Sequence, residues 1–307
     1  MAKDHPTKIR YMKRDWENTF RAWASPPGKT EKECCENAER AIKNAITARP
    51  KLKKRNIKVF THGSYRNNTN VRQDSDVDVG ILCFDTFGID YPKGYSDSDF
   101  GNSDATYLYP KFKDEVGQAL VDYFGAAAVS RGNKAFDIKE NSYNVDADVA
   151  PFIEHRRYAK NGTYLSGVEL RSDNGGKIIN WPEQNYTNGV SKNNTTGRRY
   201  KAIVRILKKL CNELDDKGIA EAQPIPGFLN ECLVWNVPDE NFGNNSYIND
   251  VRNCLAHLFN DTRSDEKCSE WGEVSELKYL FRGAQKWTRQ KVHLFISAAW
   301  DYIGFPD

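Results

Sequence analysis

Long apolar runs are absent from this chain of 307 residues. No stretch approaches the roughly 20 apolar residues that a membrane-spanning helix needs, and the first residues lack the apolar core of a secretory signal. Hydrophobic residues make up 39% and charged residues 28% of the chain, as in soluble globular proteins. We therefore expect a cytoplasmic protein with no membrane partner, long enough for two modest domains or one large one.

Paired cysteine motifs are also missing. The 7 cysteines are scattered along the chain, and none form a Cys-x-x-Cys pair, which indicates reduced thiols rather than disulfides. The group Cys254, His257 and Cys268 fits no common spacing of zinc ligands. The sequence therefore predicts neither a disulfide framework nor a structural zinc site.

A strong charge of one sign is the third feature that this chain lacks. Its net charge of +3 is small for a protein that holds a long nucleic acid on a basic surface. Basic residues do cluster locally, at 51–55 and at 198–209. The first cluster is typical of a solvated turn, and the second lies on a predicted helix. We expect no obligatory nucleic acid template.

A Gly-Ser pair follows the first strand-like run. Residues 57–60 are apolar except for one lysine, and Gly63 and Ser64 come shortly after them. A tight turn of this kind that leads into a helix presents backbone N–H groups to a phosphate. Gly-Ser alone carries little information, and a surface hairpin is the alternative.

Two aspartates alternate with valines soon afterwards, in the run D-S-D-V-D-V-G-I-L. Residues i and i+2 of a strand point to the same face, so Asp76 and Asp78 project together while Val77 and Val79 face a core. Two carboxylates on one face repel each other unless a cation lies between them, and Mg²⁺ prefers such oxygen ligands. With the preceding Gly-Ser turn, the pair predicts a site for a nucleoside triphosphate and its metal ions.

Gly-Ser followed by Asp-x-Asp resembles the signature of the DNA polymerase β-like nucleotidyltransferases. More narrowly, the chain resembles the bacterial cyclic oligonucleotide synthases (CD-NTases), relatives of cyclic GMP-AMP synthase and oligoadenylate synthase, most strongly from Arg55 to Leu82. The resemblance implies an α+β, bilobal fold, in which a mixed sheet flanked by helices forms the polymerase β-like core. It implies a catalytic core with N-terminal helices over 1–180 and a helical nucleotide-binding domain over 181–307.

A third carboxylate is expected on a neighbouring strand, in the run Y-N-V-D-A-D-V-A-P. Asp146 and Asp148 share a face there by the period of two. Relatives show an aspartate, two small apolar residues and a proline, which Asp148-Val149-Ala150-Pro151 matches. The resemblance therefore implies that Asp148 completes the metal shell and accepts a proton, with Asp146 as the second candidate.

Residues 162–197 are rich in Asn and Gly and have few apolar runs. They contain Trp181-Pro182, which resembles an element between the two halves of the CD-NTases. We expect this stretch to be the crossover between the domains and to contribute residues over the nucleotides, but the sequence does not show which residues these are.

A predicted helix over 198–214 carries a basic stripe. Lys201, Arg205 and Lys208 fall at i, i+4 and i+7, a spacing that is also common on solvated faces. The run R-Y-K-A-I-V-R-I-L-K-K-L resembles the first helix after the family's core, where a lysine reaches the donor triphosphate. Lys208 matches that lysine, Arg205 is a further candidate for nucleotide binding, and Lys201 stays undecided.

The next predicted helix begins near Gly227. Relatives often have a serine at this position, followed by a flat residue that stacks on the base. Gly227 lacks the hydroxyl, whereas Phe228 offers a ring for stacking. A place for Phe228 in the hydrophobic core is an equally good interpretation.

The chemistry that the resemblance implies is two-metal phosphoryl transfer. Asp76, Asp78 and Asp148 would hold two Mg²⁺ or Mn²⁺ ions while a ribose hydroxyl attacks the α-phosphorus of an NTP and pyrophosphate leaves. Gly63 and Ser64 would hold the β- and γ-phosphates. The expected product is a cyclic di- or trinucleotide for bacterial antiphage signalling, made by a monomer and sensed by a downstream effector.

Two other functions stay open. The same core could make a linear oligonucleotide, tail an RNA or modify a small molecule, although a net charge of +3 does not favour RNA tailing. A nucleotide-binding regulator without activity is the non-enzyme alternative, and three paired aspartates argue against it. Neither the choice of bases, nor the ring size, nor the linkage follows from the sequence.

Overall fold

The computed structural model describes residues 14–26, 28–71, 77–139, 146–223, 225–283 and 285–306, with backbone only for 29–31. In this part of the chain the strands are β1 (Ile57–Thr61), β2 (Val77–Asp90), β3 (Val129–Arg131), β4 (Phe136–Ile138), β5 (Ala147–Tyr158), β6 (Tyr164–Arg171) and β7 (Lys177–Asn180).

Helices precede, interrupt and follow these strands. They are α1 (Trp16–Ala24), α2 (Lys29–Ala48), α3 (Pro50–Lys53), α4 (Gly63–Asn67), α5 (Asp97–Phe100), α6 (Tyr109–Phe124), α7 (Pro182–Thr195), α8 (Arg199–Asp216), α9 (Gly227–Trp235), α10 (Tyr247–Thr262), α11 (Asp265–Cys268) and α12 (Arg289–Ile303). No helix among the described residues has an apolar stretch sufficient to span a membrane.

The seven strands form one mixed sheet. Its main order is β1-β2-β5-β4-β3, and β6 pairs with β5 and with β7. The pair β2–β5 is parallel, whereas the other pairs are antiparallel. The predicted fold class, a mixed sheet flanked by helices and followed by a helical half, is confirmed.

Strand β2 follows the alternation that the sequence predicts. Val77, Val79 and Ile81 are buried on one face, in a cluster that includes side chains of α2 and α6. Asp78 therefore points to the opposite face, as expected for a strand. The strand continues to Asp90, with a register shift between Cys83 and Phe87.

Separate apolar clusters stabilise the sheet and the helices. One lies between the sheet and the pair α2 and α6, and a smaller one, with Phe60 and Phe152, covers part of the other face. The largest contains side chains of α1, α8, α9, α10 and α12. Helix α1 thus packs with the helical half, whereas the predicted division at 180 and 181 assigned it to the catalytic half.

Residues 162–197 are more regular than the sequence suggests. They form β6, β7 and α7, and Trp181, between β7 and α7, is almost fully buried. The strands escaped prediction because β6 buries only its second half and β7 has no buried residue. The stretch does connect the sheet to the long helix α8.

Candidate active site

The turn after β1 brings backbone against the neighbouring strand. Helix α4 begins at Gly63, whose φ of +66° lies in the left-handed region that glycine favours. A Cβ atom at this position would lie 2.2 Å from Oδ2 of Asp78. The start of α4 therefore approaches the Asp78 carboxylate more closely than a residue with a side chain allows.

Two of the predicted carboxylates come from adjacent strands. Asp78 of β2 is the register partner of Asp148 of β5, so both project from the same face of strands about 4.8 Å apart. Asp146 is exposed and precedes β5, and its carbonyl oxygen accepts a hydrogen bond of 3.1 Å from the N–H of Val77. The register favours Asp148 over Asp146 as the partner of Asp78, and we call Asp78 and Asp148 the acidic pair.

The acidic pair is a suitable donor set for a hard divalent cation, because it offers carboxylate oxygens beside a glycine that leaves space for them. Asp76, which is also predicted to bind the metal ions, lies outside the described residues. Within those residues, no three His, Cys, Asp or Glu side chains are arranged to hold a metal ion.

A cleft of about 940 Å³ opens beside Asp78, within the range of about 300–1,000 Å³ typical of small-molecule sites. Five residues predicted for catalysis or nucleotide binding line it: Gly63, Ser64, Asp78, Lys208 and Phe228. The cleft therefore brings the Gly-Ser turn, one acid and two residues of the helical half together.

Lys208 reaches the cleft from α8 but is almost fully buried. Its Nζ donates to the carbonyl oxygen and to the hydroxyl of Thr69, both at 3.1 Å, and to Oε2 of Glu231 at 3.4 Å. The ammonium group therefore faces the region after the Gly-Ser helix, and it has a buried counterion.

Three residues beside Lys208 were not predicted from the sequence. Asn67 donates to Oε1 of Glu231 and the Thr69 hydroxyl donates to Oε2, both at 2.9 Å. All three side chains are buried. A signal existed, since Glu231 interrupts the apolar run of α9, and a charged residue in such a run is paired when buried.

Arg205 lies away from the cleft, although the sequence makes it a candidate for nucleotide binding. It does not line the cleft, and its guanidinium donates to the carbonyl oxygens of Ala24 and Asn68. Burial lowers the pKa of Arg205 to about 10. The side chain therefore connects the end of α1 and the end of α4 to α8.

Helix α9 presents Gly227 and Phe228 to the cleft. A Cβ atom at Gly227 would lie 3.6 Å from Cε of Lys208, an ordinary contact, so the missing serine is not excluded by space. Phe228 is partly exposed and packs on the helical cluster. One part of its ring therefore packs on the hydrophobic core of the helical half, while another part faces the cleft.

Several buried polar atoms at the cleft have no hydrogen-bond partner within the described residues. They include both amide atoms of Asn70, Oδ1 of Asn185, Oδ1 of Asn230 and Nε2 of His62. Burial, and secondarily the charge of Arg66, lowers the pKa of His62 to about 4, so its imidazole is neutral near pH 7. Unsatisfied buried groups are costly, and a polar ligand would satisfy them.

The Trp-Pro element is connected to the Gly-Ser helix. Glu183 of α7 accepts hydrogen bonds from Arg66 at 2.6 Å and from Lys58 at 3.3 Å. The hydrogen bond from Arg66 is the main reason that the pKa of Glu183 is lowered. This link holds α7 over the side of α4 that adjoins the cleft.

A mixed sheet with paired aspartates, a Gly-Ser helix and a cleft shared with a helical half defines a nucleotidyltransferase. Two family models agree with this class. The nucleotidyltransferase domain model matches residues 42–142, and the model of the cGAS/DncV-like nucleotidyltransferase C-terminal helical domain matches residues 187–304.

Curated relatives cover nearly the whole chain. The cyclic dipyrimidine nucleotide synthase CdnE of Legionella pneumophila is 48% identical, over 95% of this chain and 99% of its own length. The enzyme of the same name from Cecembia lonarensis is 41% identical, over 94% and 98%. A cyclic dipurine nucleotide synthase of Elizabethkingia meningoseptica is 35% identical, over 92% and 96%.

Solved structures agree with the fold. The CdnE c-UMP-AMP synthase of Rhodothermus marinus, with Apcpp and Upnpp, superposes with a TM-score of 0.82 at 28% identity, over 95% of this chain and 97% of that one. The CdnE cyclic dinucleotide synthase of Elizabethkingia meningoseptica, with GTP and Apcpp, gives 0.78 at 34%, over 94% and 99%. The chain belongs to the cGAS/DncV-like nucleotidyltransferases, within the polymerase β-like superfamily.

Proposed function

We propose that this nucleotidyltransferase joins two nucleoside triphosphates into a cyclic dinucleotide, with at least one pyrimidine base. The observation that carries the proposal is the acidic pair beside a cleft that contains Gly63 and Ser64. The 48% identity to a cyclic dipyrimidine nucleotide synthase supports the product class. A trinucleotide is the less favoured cyclic product, since the relatives described above are named for products of two nucleotides.

The acidic pair and Asp76 would hold two Mg²⁺ or Mn²⁺ ions. When bound, such ions lower the pKa of the attacking hydroxyl and neutralise charge on the triphosphate. Asp148 accepts the proton of the ribose hydroxyl. The oxygen of this hydroxyl bonds to the α-phosphorus as the bond to pyrophosphate breaks. Ser64 holds the β- and γ-phosphates with the N–H groups of α4, and Lys208 balances their charge from the helical half.

Pyrimidine recognition is supported by the asparagines of the cleft wall. Asn180, Asn185 and Asn212 line it, and an amide can both donate to and accept from the edge of a pyrimidine. Oδ1 of Asn185 is buried and lacks a partner within the described residues, so it could accept from N3–H of uracil or the amino group of cytosine. Phe228 would stack on a base from the side of α9.

The family implies a signalling role. We propose that the product is a second messenger in antiphage defence, that the enzyme works as a monomer in the cytoplasm without a nucleic acid template, and that a separate effector senses the product. The small net charge of +3 supports the absence of a template, because binding a long nucleic acid draws on many basic residues.

The test is to incubate the protein with all four labelled NTPs and Mg²⁺ or Mn²⁺, treat with phosphatase and separate the products. We expect a phosphatase-resistant product that disappears when UTP and CTP are omitted. Asp78→Asn removes one carboxylate of the acidic pair while keeping its size, so it should abolish the product. Thermal unfolding of this variant shows whether the fold is retained.

Other outcomes separate the alternatives. Products with phosphatase-sensitive ends would favour a linear oligonucleotide or tailing enzyme. A resistant product that forms from ATP and GTP alone would contradict the pyrimidine assignment. NTP binding without any product, with either metal, would favour the nucleotide-binding regulator.

A further inference from the structure

A buried polar network joins the Gly-Ser helix to the helical half. It consists of Asn67, Thr69, Lys208 and Glu231, which we call the Glu231 network. Each of these residues is at most 8% exposed, and all four line the cleft. A buried carboxylate is unfavourable unless it is paired, so the contacts of Glu231 need an explanation.

Both oxygens of the Glu231 carboxylate accept hydrogen bonds. Oε1 accepts from Asn67 at 2.9 Å, and Oε2 accepts from the Thr69 hydroxyl at 2.9 Å and from Lys208 at 3.4 Å. Glu231 thus contacts both the end of α4, through Asn67, and the residue Thr69 that follows this helix.

All three N–H donors of the Lys208 ammonium group have a partner. An ammonium has three donors, and the three contacts within the network are two to Thr69 at 3.1 Å and one to Glu231 at 3.4 Å. Lys208 can therefore contact a triphosphate only by giving up one of them. The contact to Glu231 is the longest, and Glu231 keeps two other donors when Lys208 leaves it.

We propose that Glu231 is a positioning residue for Lys208, and that an incoming triphosphate takes over its contact with the ammonium group. The inference rests on the proposed function of the cleft. Glu231 holds the ammonium group in the geometry that turnover needs, which should increase kcat. Its negative charge also opposes the triphosphate, which should weaken binding. Removing that charge should therefore lower kcat and raise the affinity for the triphosphate.

The main test is Glu231→Gln, which keeps the size of the side chain and its acceptor for Asn67. Turnover is measured as pyrophosphate release, and affinity is measured by calorimetric titration with the non-hydrolysable analogue Upnpp and Mg²⁺. We expect kcat to fall about tenfold while Upnpp binds several-fold more tightly. A rise in KM with unchanged kcat, or no change in either, contradicts the proposal.

A double-mutant cycle tests whether Glu231 acts through Lys208. Lys208→Met should weaken Upnpp binding, because it removes a positive charge from the phosphate site. If Glu231 acts on turnover through this lysine, adding Glu231→Gln to Lys208→Met should change kcat by no more than about twofold. The gain in Upnpp affinity should persist, because the negative charge of Glu231 is removed in both backgrounds. An equal loss of kcat in both backgrounds overturns the proposal.

A matched control separates this role from the general effect of neutralising a buried glutamate. Glu154 is as buried as Glu231 and accepts from Arg156 at 2.7 Å and from Ser166 at 2.8 Å, but it does not line the cleft. Glu154→Gln should lower thermal stability without changing kcat or Upnpp binding. A parallel loss of turnover in Glu154→Gln contradicts a specific role of Glu231.

Two further arms keep the proposal testable. If Glu231→Gln fails to fold, Thr69→Val removes the hydroxyl contacts but keeps both charges, and it should lower kcat without tighter Upnpp binding. Tighter binding by Thr69→Val contradicts the proposal. If the wild-type protein releases no pyrophosphate, the proposed function fails, and the Upnpp affinities alone then decide on Glu231.

Discussion

Gly63 illustrates how much of the site depends on one residue. Two separate constraints act at this position. The backbone has a φ of +66°, and a Cβ atom would lie 2.2 Å from the Asp78 carboxylate. The first is a constraint of the backbone, and the second is one of space. Other glycines of the chain share the first constraint without the second, so the two effects can be measured apart.

We predict that Gly63→Ala lowers pyrophosphate release by at least about 100-fold, because the added methyl group displaces the Asp78 carboxylate. The matched control is Gly94→Ala, where φ is +88° and a Cβ atom would meet nothing within 4 Å. Both variants should lose about 1 kcal/mol of stability from the strained backbone. Equal activity of the two variants would show that the close approach to Asp78 has no role.

The identity of the third acid is also decided at the residue scale. Asp148 is the register partner of Asp78, and Asp146 is exposed before β5 begins. We predict that Asp148→Asn reduces pyrophosphate release by about 1,000-fold or more, whereas Asp146→Asn retains most of it. Steady-state kinetics at saturating Mg²⁺ measure both. The reverse order of effects would assign the proton acceptor to Asp146.

At the scale of elements, a charged cluster holds α6 against strands β3 and β6. Lys113 of α6 is 1% exposed and donates to Asp173 at 2.9 Å, and Arg131 of β3 donates to the same carboxylate at 3.0 Å. The hydrogen bond from Arg131 is the main reason that the pKa of Asp173 is lowered to about 2. Asp173 follows β6 and so connects it to α6.

We predict that Asp173→Asn lowers the free energy of unfolding by about 1 kcal/mol at pH 7, a modest value because the carboxylate is more than one-third exposed. The folded-state pKa is below the unfolded one, so this contribution is present above pH 4 and is lost as the pH falls towards 2. Urea unfolding at pH 7, 4 and 2.5 measures it. A difference from wild type that is as large at pH 2.5 as at pH 7 would exclude this ion cluster as the cause.

Asp114→Asn is the control for the Asp173 experiment. Asp114 also accepts a hydrogen bond from Arg131, at 2.7 Å, but its side chain is 65% exposed. Exposed ion pairs contribute little, so this variant should stay within about 0.5 kcal/mol of wild type.

The elements show what could be predicted from the sequence. Strand β2 was predictable because Val77, Val79 and Ile81 alternate with residues of the cleft face. Strands β6 and β7 were not, since their exposed halves carry no such pattern. Asp76 stays a prediction, because the described residues do not include it.

In the helical half, too, the sequence predicts only part of the site. The spacing of α8 places Lys208 and Arg205 on one stripe, yet only Lys208 lines the cleft. The partners of Arg205 are the carbonyl oxygens of Ala24 and Asn68, and spacing within one helix contains no information about backbone from distant segments. The role of Glu231 depends on Asn67 and Thr69 in the same way.

At the scale of the whole molecule, Arg205 joins three parts of the fold, namely α1, α4 and α8. We predict that Arg205→Met lowers the free energy of unfolding by about 1–3 kcal/mol, because the buried carbonyl oxygen of Ala24 and the partly accessible one of Asn68 lose their donor. Lys209→Met, on the less buried side of the same helix, should lose less than about 1 kcal/mol. Equal losses in urea unfolding would show that Arg205 is not the connection.

The parallel pairing of β2 with β5 has a consequence for how the protein matures. Parallel neighbours need a long connection, which here includes α6, and such non-local pairing forms slowly. A nascent chain that has left the ribosome only as far as β4 contains Gly63, Ser64 and Asp78, but neither Asp148 nor Lys208. We therefore expect chains that end before β5 to be inactive, and activity to begin only after β5 and α8 have both been synthesised.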